Sequence, residues 1–172
     1  MKYPEAYVRY LVHFHGDRDW FECHEILEEY WKDQKMTNQV WVTLIQIAVG
    51  LYHQRRGNLQ GASKMLNSAY NRIDDTAIRE IGLDPELLNN SLKTRIVEIS
   101  TVIPFTDFNL PIMDPQLLNR CQDECTKKKM IWQAASNMVD ERLIHKHSRR
   151  DRSGLLKQRE ERLKEVKNER SV

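Results

Sequence analysis

The chain has 172 residues, 40% of them apolar and 30% charged, with 6 Gly, 5 Pro and a formal net charge of +2 at pH 7. That length suits one domain able to bury a core without disulfide staples, and no apolar run approaches the roughly 18 residues of a membrane span. The opening MKYPEAYVRYLVHFHGDRDW lacks the layout of a secretory leader, and three cysteines, an odd number, point away from secreted, membrane-spanning or fibrous classes and toward a reducing cytoplasm.

Helical periodicity runs through the chain to about residue 144, and nothing alternates as a strand would. The spacing predicts a first helix from near Pro4 to just before Gly16, with proline in its favoured first turn. A second is expected from about Asp19 to Lys35, capped by Asp17 or Asp19. A third spans about Asn38 to Arg56 and ends at Gly57-Asn58, where glycine takes the left-handed turn and Asn58 can cap the next helix. In that fourth helix Leu59, Ala62, Leu66, Ala69 and Ile73 form one buried stripe, so the third and fourth should pack as an antiparallel pair. Asp84-Pro85 and Asp114-Pro115 each set a capping carboxylate before a proline at the first helical position. The first of these opens a helix to about Ile103, stopped by Pro104. The loop FTDFNLPIM comes next, with Phe105, Phe108, Leu110 and Ile112 expected to pin it down. The second opens a helix from about Gln116 to His145, broken near Thr126. The expected fold is all-α: a single-domain bundle of six to seven helices over residues 1–144, then a tail over 145–172 that is helical or disordered. From His145 to Val172 there are ten Lys and Arg against five Asp and Glu, so the tail is basic and the rest of the chain acidic.

The third helix is apolar around almost its whole circumference, which makes it central to the bundle. Its exception is a narrow polar line of Gln46, Gly50 and His53. An amide or imidazole buried there without a partner would cost roughly 1–3 kcal/mol, so the line calls for a polar partner or a pocket. The second helix offers one: His24 falls between Trp20 and Trp31 on the helical wheel, Glu28 is its i+4 neighbour, and Glu25 lies at the border of the outward face. If the two stripes face each other, His24, Glu28, Gln46 and His53 converge.

The runs RDWFECHEILEEYW and LIQIAVGLYHQRRGNLQGA resemble the signature of domain-of-unknown-function family 309, a family of all-helical prokaryotic proteins. The matching positions are His24, Glu25, Leu27, Glu28 and Trp31, then Leu44, Ile45, Gln46, Ala48 and His53, then Arg56, Gly57, Asn58, Gly61 and Ala62. The resemblance covers about residues 10–73. It implies an all-helical bundle and carries no particular reaction with it.

The sharpest functional reading is a divalent transition-metal site held by His24, Glu28 and His53, with one position left open for water. In a catalytic version His24 or His53 is general base or metal ligand and Glu28 fixes the tautomer or completes the coordination. Gln46 then orients substrate or water and Arg56 meets an anionic group; the plainer role for Arg56 is a cation at a helix C-terminus. The competing reading is a non-enzymatic partner-binding or scaffold protein in which the same residues form a buried structural network. VGLYHQRRGNLQGASKMLNSA has the spacing of one tetratricopeptide-type hairpin, but no second copy is present, and arrays of such units are what bind partners. Cys121 and Cys125, one turn apart, read as inert thiols, His13 and His15 as surface residues, and His145 and His147 as part of the solvated tail. The basic tail could contact phosphates, but no aromatic residue interleaves it, so nucleic acid is disfavoured and a protein partner stays open.

Overall fold

Helix boundaries in this chain are written by its capping side chains. In the computed structural model, which describes residues 2–149, Asp19 accepts from the backbone N–H of Glu22 and opens α2 (Trp20–Asp33), after α1 (Glu5–His15) has ended at Gly16. Asn38 accepts from Val40 N–H to open α3 (Gln39–Arg55), and Asn58 from Gly61 N–H to open α4 (Leu59–Arg72). Asp74 does the same for α5 (Asp75–Glu80), Asp84 for α6 (Pro85–Ser100) and Asp114 for α7 (Pro115–Lys127). Two four-residue turns, α8 (Glu141–Ile144) and α9 (Lys146–Arg149), complete the described residues. Each cap satisfies a backbone donor that the helix itself leaves unpaired. The described residues contain no strand, only an isolated bridge between Leu83 and Ile112, and no helix long and apolar enough to cross a membrane.

The protein is therefore all-α, with nine helices among the described residues, six of them longer than two turns. The extra element relative to the sequence reading is α5, six residues long and too short to show a period. The helix expected from Gln116 to His145 with a break near Thr126 does break there, α7 ending at Lys127, but helix resumes only at Glu141. At the break Lys129 adopts a positive φ of 58° and the Met130 N–H turns back onto the Cys125 carbonyl at 2.8 Å. The chain then enters a loop whose apolar residues anchor it individually: Trp132 stacks on the His15 ring with centroids 4.4 Å apart.

α3 is the axis of the bundle. It packs on α2 on one side and α4 on the other, α1 packs on α2 and α7, and α4 on α6. The α3–α4 approach is close because Gly50 lacks a side chain: a Cβ there would lie 2.6 Å from two carbons of the buried Leu66. Tyr7, Tyr10, Phe14, Trp20, Leu44 and Ile47 form the centre of the core. The loop after α6 is pinned as expected, with Phe108 and Leu110 buried and Phe105 and Ile112 packed against the core.

Three buried arginines lash the loops to this core. Arg18, at φ 58°, donates from Nη1 to the carbonyls of Phe14 and Phe108 and to Asn109 Oδ1, and from Nε to the Ala134 carbonyl. Arg55 donates to the Arg18 carbonyl at 2.7 Å and stacks over Trp20, its guanidinium carbon 4.4 Å from the ring centre. Arg95 donates to Gln54 Oε1, to the Thr106 carbonyl and hydroxyl, and to the Asp107 carbonyl. Guanidinium forks suit this work because several carbonyls can be served by one side chain.

Candidate functional site

The seam between the N-terminal half of α2 and the C-terminal end of α3 holds a cavity of about 170 Å³, lined by Trp20, Phe21, His24, Val49, Tyr52, His53, Arg56 and His147. Its position is set by local sequence. Asp19 starts α2 so that Trp20 points into the core, fully buried, while Phe21 and His24 line the seam. Gly57, at φ +81°, ends α3 just after Arg56 and sends the chain into the turn that holds Asn58.

His24 is held by its own helix. Its Nδ1 lies 2.7 Å from the Phe21 carbonyl, which can only accept, so Nδ1 carries a proton. The opposite nitrogen, Nε2, faces Glu25 Oε1 at 3.4 Å and Glu28 Oε2 at 3.7 Å. One ligand atom from each of His24, Glu25 and Glu28 lies within 4.8 Å of the others, a grouping able to hold a metal ion. The second oxygen of Glu28 pairs with Lys32 at 2.7 Å.

His53 is fixed in the other tautomer. Asn58 uses its Oδ1 to cap α4, which turns its Nδ2 toward His53 Nδ1 at 3.2 Å. Nδ1 must accept that bond, so the ring proton sits on Nε2. Burial, and then the charge of Arg56, push the His53 imidazole below its ordinary value. Two histidines at one seam thus present opposite faces: His24 an acceptor at Nε2, His53 a donor.

His147 closes the cavity from the far end of the chain. Its backbone N–H donates to Tyr52 Oη at 3.1 Å, its Nδ1 lies 2.6 Å from the same oxygen, and Arg56 Nη1 approaches its Nε2 at 2.8 Å. With Nδ1–H donating to Tyr52 and Nε2 accepting from Arg56, all three contacts are satisfied. Beside it Lys146 bonds Asp19 and Glu22, at 2.5 and 3.0 Å, across a wider groove that Asp140 and Arg142 also line.

The expected convergence is therefore partial. His24, His53 and Arg56 meet at the cavity, whereas Gln46 does not. It donates to Ser68 Oγ on α4 at 2.9 Å. Gln46 and His53 share a line on α3 but lie seven residues apart, about 10 Å along the axis, so one end serves the α4 contact and the other the cavity. Glu28 sits beside His24, and the residue completing that cluster is Glu25 rather than His53. The other histidines also differ from their expected surroundings. His15 is fully buried, accepting from Leu110 N–H at Nε2, and burial lowers it to about 3. His13 pairs with Asp17 at 3.0 Å. His147 is packed rather than solvated, while residues 150–172, the rest of the basic tail, lie outside the described residues. The three cysteines are free and buried, and burial raises each thiol, so none is poised as a nucleophile.

Sequence reasoning missed Phe21, Tyr52 and His147 as lining residues. Phe21 and Tyr52 carry no signal apart from bulk. His147 lies 95 positions from Tyr52, and only the folded chain brings them together. Glu25 was visible as the borderline carboxylate of its helix.

Comparison with known proteins bears on the same segment. The family model for a domain of unknown function (DUF309) matches residues 7–65, which contain all of α2 and α3. The chain is 41% identical over 172 residues to an uncharacterized protein, YpuF, of Bacillus subtilis (strain 168), covering 98% of this chain and 99% of that one. No solved structure matches the chain. The signature that builds the His24–His53 seam is thus the part the family model describes, and the chain belongs to the DUF309 family.

Proposed function

We propose that the α2–α3 seam is a small-ligand site whose fixed element is a divalent transition-metal centre on α2, formed by His24, Glu25 and Glu28. The observation that carries this is the Nδ1–H bond from His24 to Phe21. It directs the Nε2 lone pair at two carboxylate oxygens, an arrangement that a cation between the three atoms would stabilise. Metal-ligating histidines are commonly fixed in this way by a carbonyl behind the ring. A tetrahedral ion with bonds of about 2.1 Å has donor atoms about 3.4 Å apart, close to the 3.4 and 3.7 Å found here. Imidazole plus carboxylates suits zinc and its first-row neighbours. Three ligands from one helix would leave coordination positions open to water or to a molecule in the cavity, and a base on such an ion is the catalytic version of this reading. The free, buried thiols accord with the cytoplasmic setting it supposes.

A second reading is favoured by the Lys32–Glu28 pair. Here the positive charge is a proton on Nε2, the cluster is an i,i+4 network that braces α2, and the bundle serves as a scaffold for a protein partner.

Equilibrium dialysis of the untagged protein against zinc separates the two. The metal reading expects about one equivalent bound, with magnesium unable to compete, and at least ~10-fold weaker binding in His24→Ala and Glu25→Gln, changes in ligands counting for no less than changes in their supports. Zinc binding that is absent, or equal in the variants, overturns it in favour of the network.

A further inference from the structure

We infer that the cavity beside His24 takes a small organic anion with a planar apolar body, an aromatic monocarboxylate. This rests on the reading of the seam as a ligand site, and not on the metal. Among the eight lining residues there is no carboxylate; the formal charge is that of Arg56, and the remaining polar groups are three imidazoles, the Tyr52 hydroxyl and the Trp20 indole N–H. The Arg56 side chain is half-buried. Among the described residues it has no carboxylate oxygen within 4.0 Å; its neighbours include the His147 ring at 2.8 Å and the face of Tyr52 at 5.7 Å. A cation drawn partly out of water without a counter-ion is costly, and a bound anion would supply what the described residues do not.

The polar groups converge on one class of ligand. His53 Nε2–H is a committed donor, because Asn58 occupies Nδ1. Arg56 presents a planar fork matched to a carboxylate. The carboxylates nearest the seam are accounted for: Asp19 and Glu22 pair with Lys146, and Glu28 with Lys32 and His24. Glu25 also faces His24 Nε2, on the side away from the Phe21 carbonyl. The walls are rings. Phe21 stands edge-on to His24 with centroids 4.9 Å apart and tilted to Tyr52 at 5.7 Å, and Trp20 lies behind them. Trp20 is fully buried and its indole Nε1–H is unpartnered, a donor to spare on a lining residue. A cavity of about 170 Å³ suits a single ring better than a nucleotide or a peptide. Apolar walls with a few placed polar groups are the usual make-up of a small-molecule site.

The test is titration of the full chain with benzoate, followed by imidazole and indole NMR signals, with benzamide as the neutral isostere and benzylamine as the cation. Benzoate is expected to bind in the sub-millimolar range, to move the Trp20 and His53 signals, and to raise the apparent pKa of His53, since the anion offsets the charge of Arg56. Arg56→Leu and His53→Ala should each weaken binding at least ~10-fold while melting close to the wild type; Arg56→Lys should recover part of it. Benzamide or benzylamine binding as tightly as benzoate, an unmoved His53, or undiminished binding in Arg56→Leu overturns the inference. Zinc uptake without benzoate binding would leave the metal reading standing and remove this one; benzoate binding without zinc uptake would do the reverse.

Discussion

Lowering the pH from 8 to 5 should cost the native protein about 2 kcal/mol through His15 alone. The imidazole is fully buried, its Nδ1 bonds the Leu11 carbonyl at 3.0 Å, and its Nε2 accepts the Leu110 N–H at 3.0 Å. There is no room for a second ring proton without breaking the Leu110 contact, and burial holds the folded value at about 3 against 6.5 in the unfolded chain. Between those values the unfolded chain takes up a proton that the folded chain refuses. Stability from this group is therefore full above about pH 6.5 and declines as pH falls, by about 1.4 kcal/mol per unit once well below 6.5. Integrated from pH 8 to 5 that gives the ~2 kcal/mol stated. His53, also lowered, acts in the same direction. Asp17, Glu22 and Asp114, all held low, lose their contribution only further into acid, as pH falls through their folded values. Urea unfolding followed by tryptophan fluorescence at pH 8 and 5 measures the difference. His15→Asn, which cannot titrate, should start less stable yet lose about 2 kcal/mol less over the same interval. Equal pH dependence in wild type and variant would refute the argument.

Arg95→Met removes the fork that serves Gln54, Thr106 and Asp107 and strands those acceptors, so a loss of about 3 kcal/mol or more is expected in the same assay. Two glycines with φ +81° should respond differently to alanine. At Gly57 nothing lies within 4 Å of the new Cβ, so the cost is backbone strain alone, about 1 kcal/mol, and Gly57→Asn should be milder. At Gly82 the Cβ would lie 2.7 Å from Tyr3 Oη and 3.0 Å from Leu117 Cδ2, so the drop in melting temperature should exceed that of Gly57→Ala. Leu66→Ala, at the site facing Gly50, should cost about 2–5 kcal/mol as a core truncation.

Local signals carried most of the architecture. Asn58, Asp84 and Asp114 are read as caps from residue type alone, Asp19 as one of two candidates with Asp17, and each accepts the bond its position predicts; Asn38, read only as the start of its helix, caps α3 as well. α5 escaped because it has no period, and so did the loop that follows α7, where more helix is expected; the break itself is expected near Thr126 and falls at Lys127. A six-residue helix makes less than two turns, and the residues after Lys127 keep apolar side chains that serve as separate loop anchors. At the site, tautomers are what sequence could not supply. That His24 and His53 lie on neighbouring helices is legible in their spacing, but their opposite proton positions depend on the Phe21 carbonyl and on Asn58 being turned by its own cap. Gln46 shows the limit of a helical wheel, which records angle and discards height. His147 shows the limit of reading a charged tail as solvated, since its first turn packs on Tyr52 and Arg56.

The central claim is tested most directly by the protonation pattern of the imidazoles, read by long-range proton–nitrogen correlation before and after one equivalent of zinc at pH 8. His24 is predicted to carry its proton on Nδ1, with its Nε2 shifting to a metal-bound value on adding zinc, while His53 keeps its proton on Nε2 and stays in place. A His24 whose Nε2 carries a proton and does not move through the zinc addition would contradict the claim, and would leave the cluster as an ion-pair brace on α2.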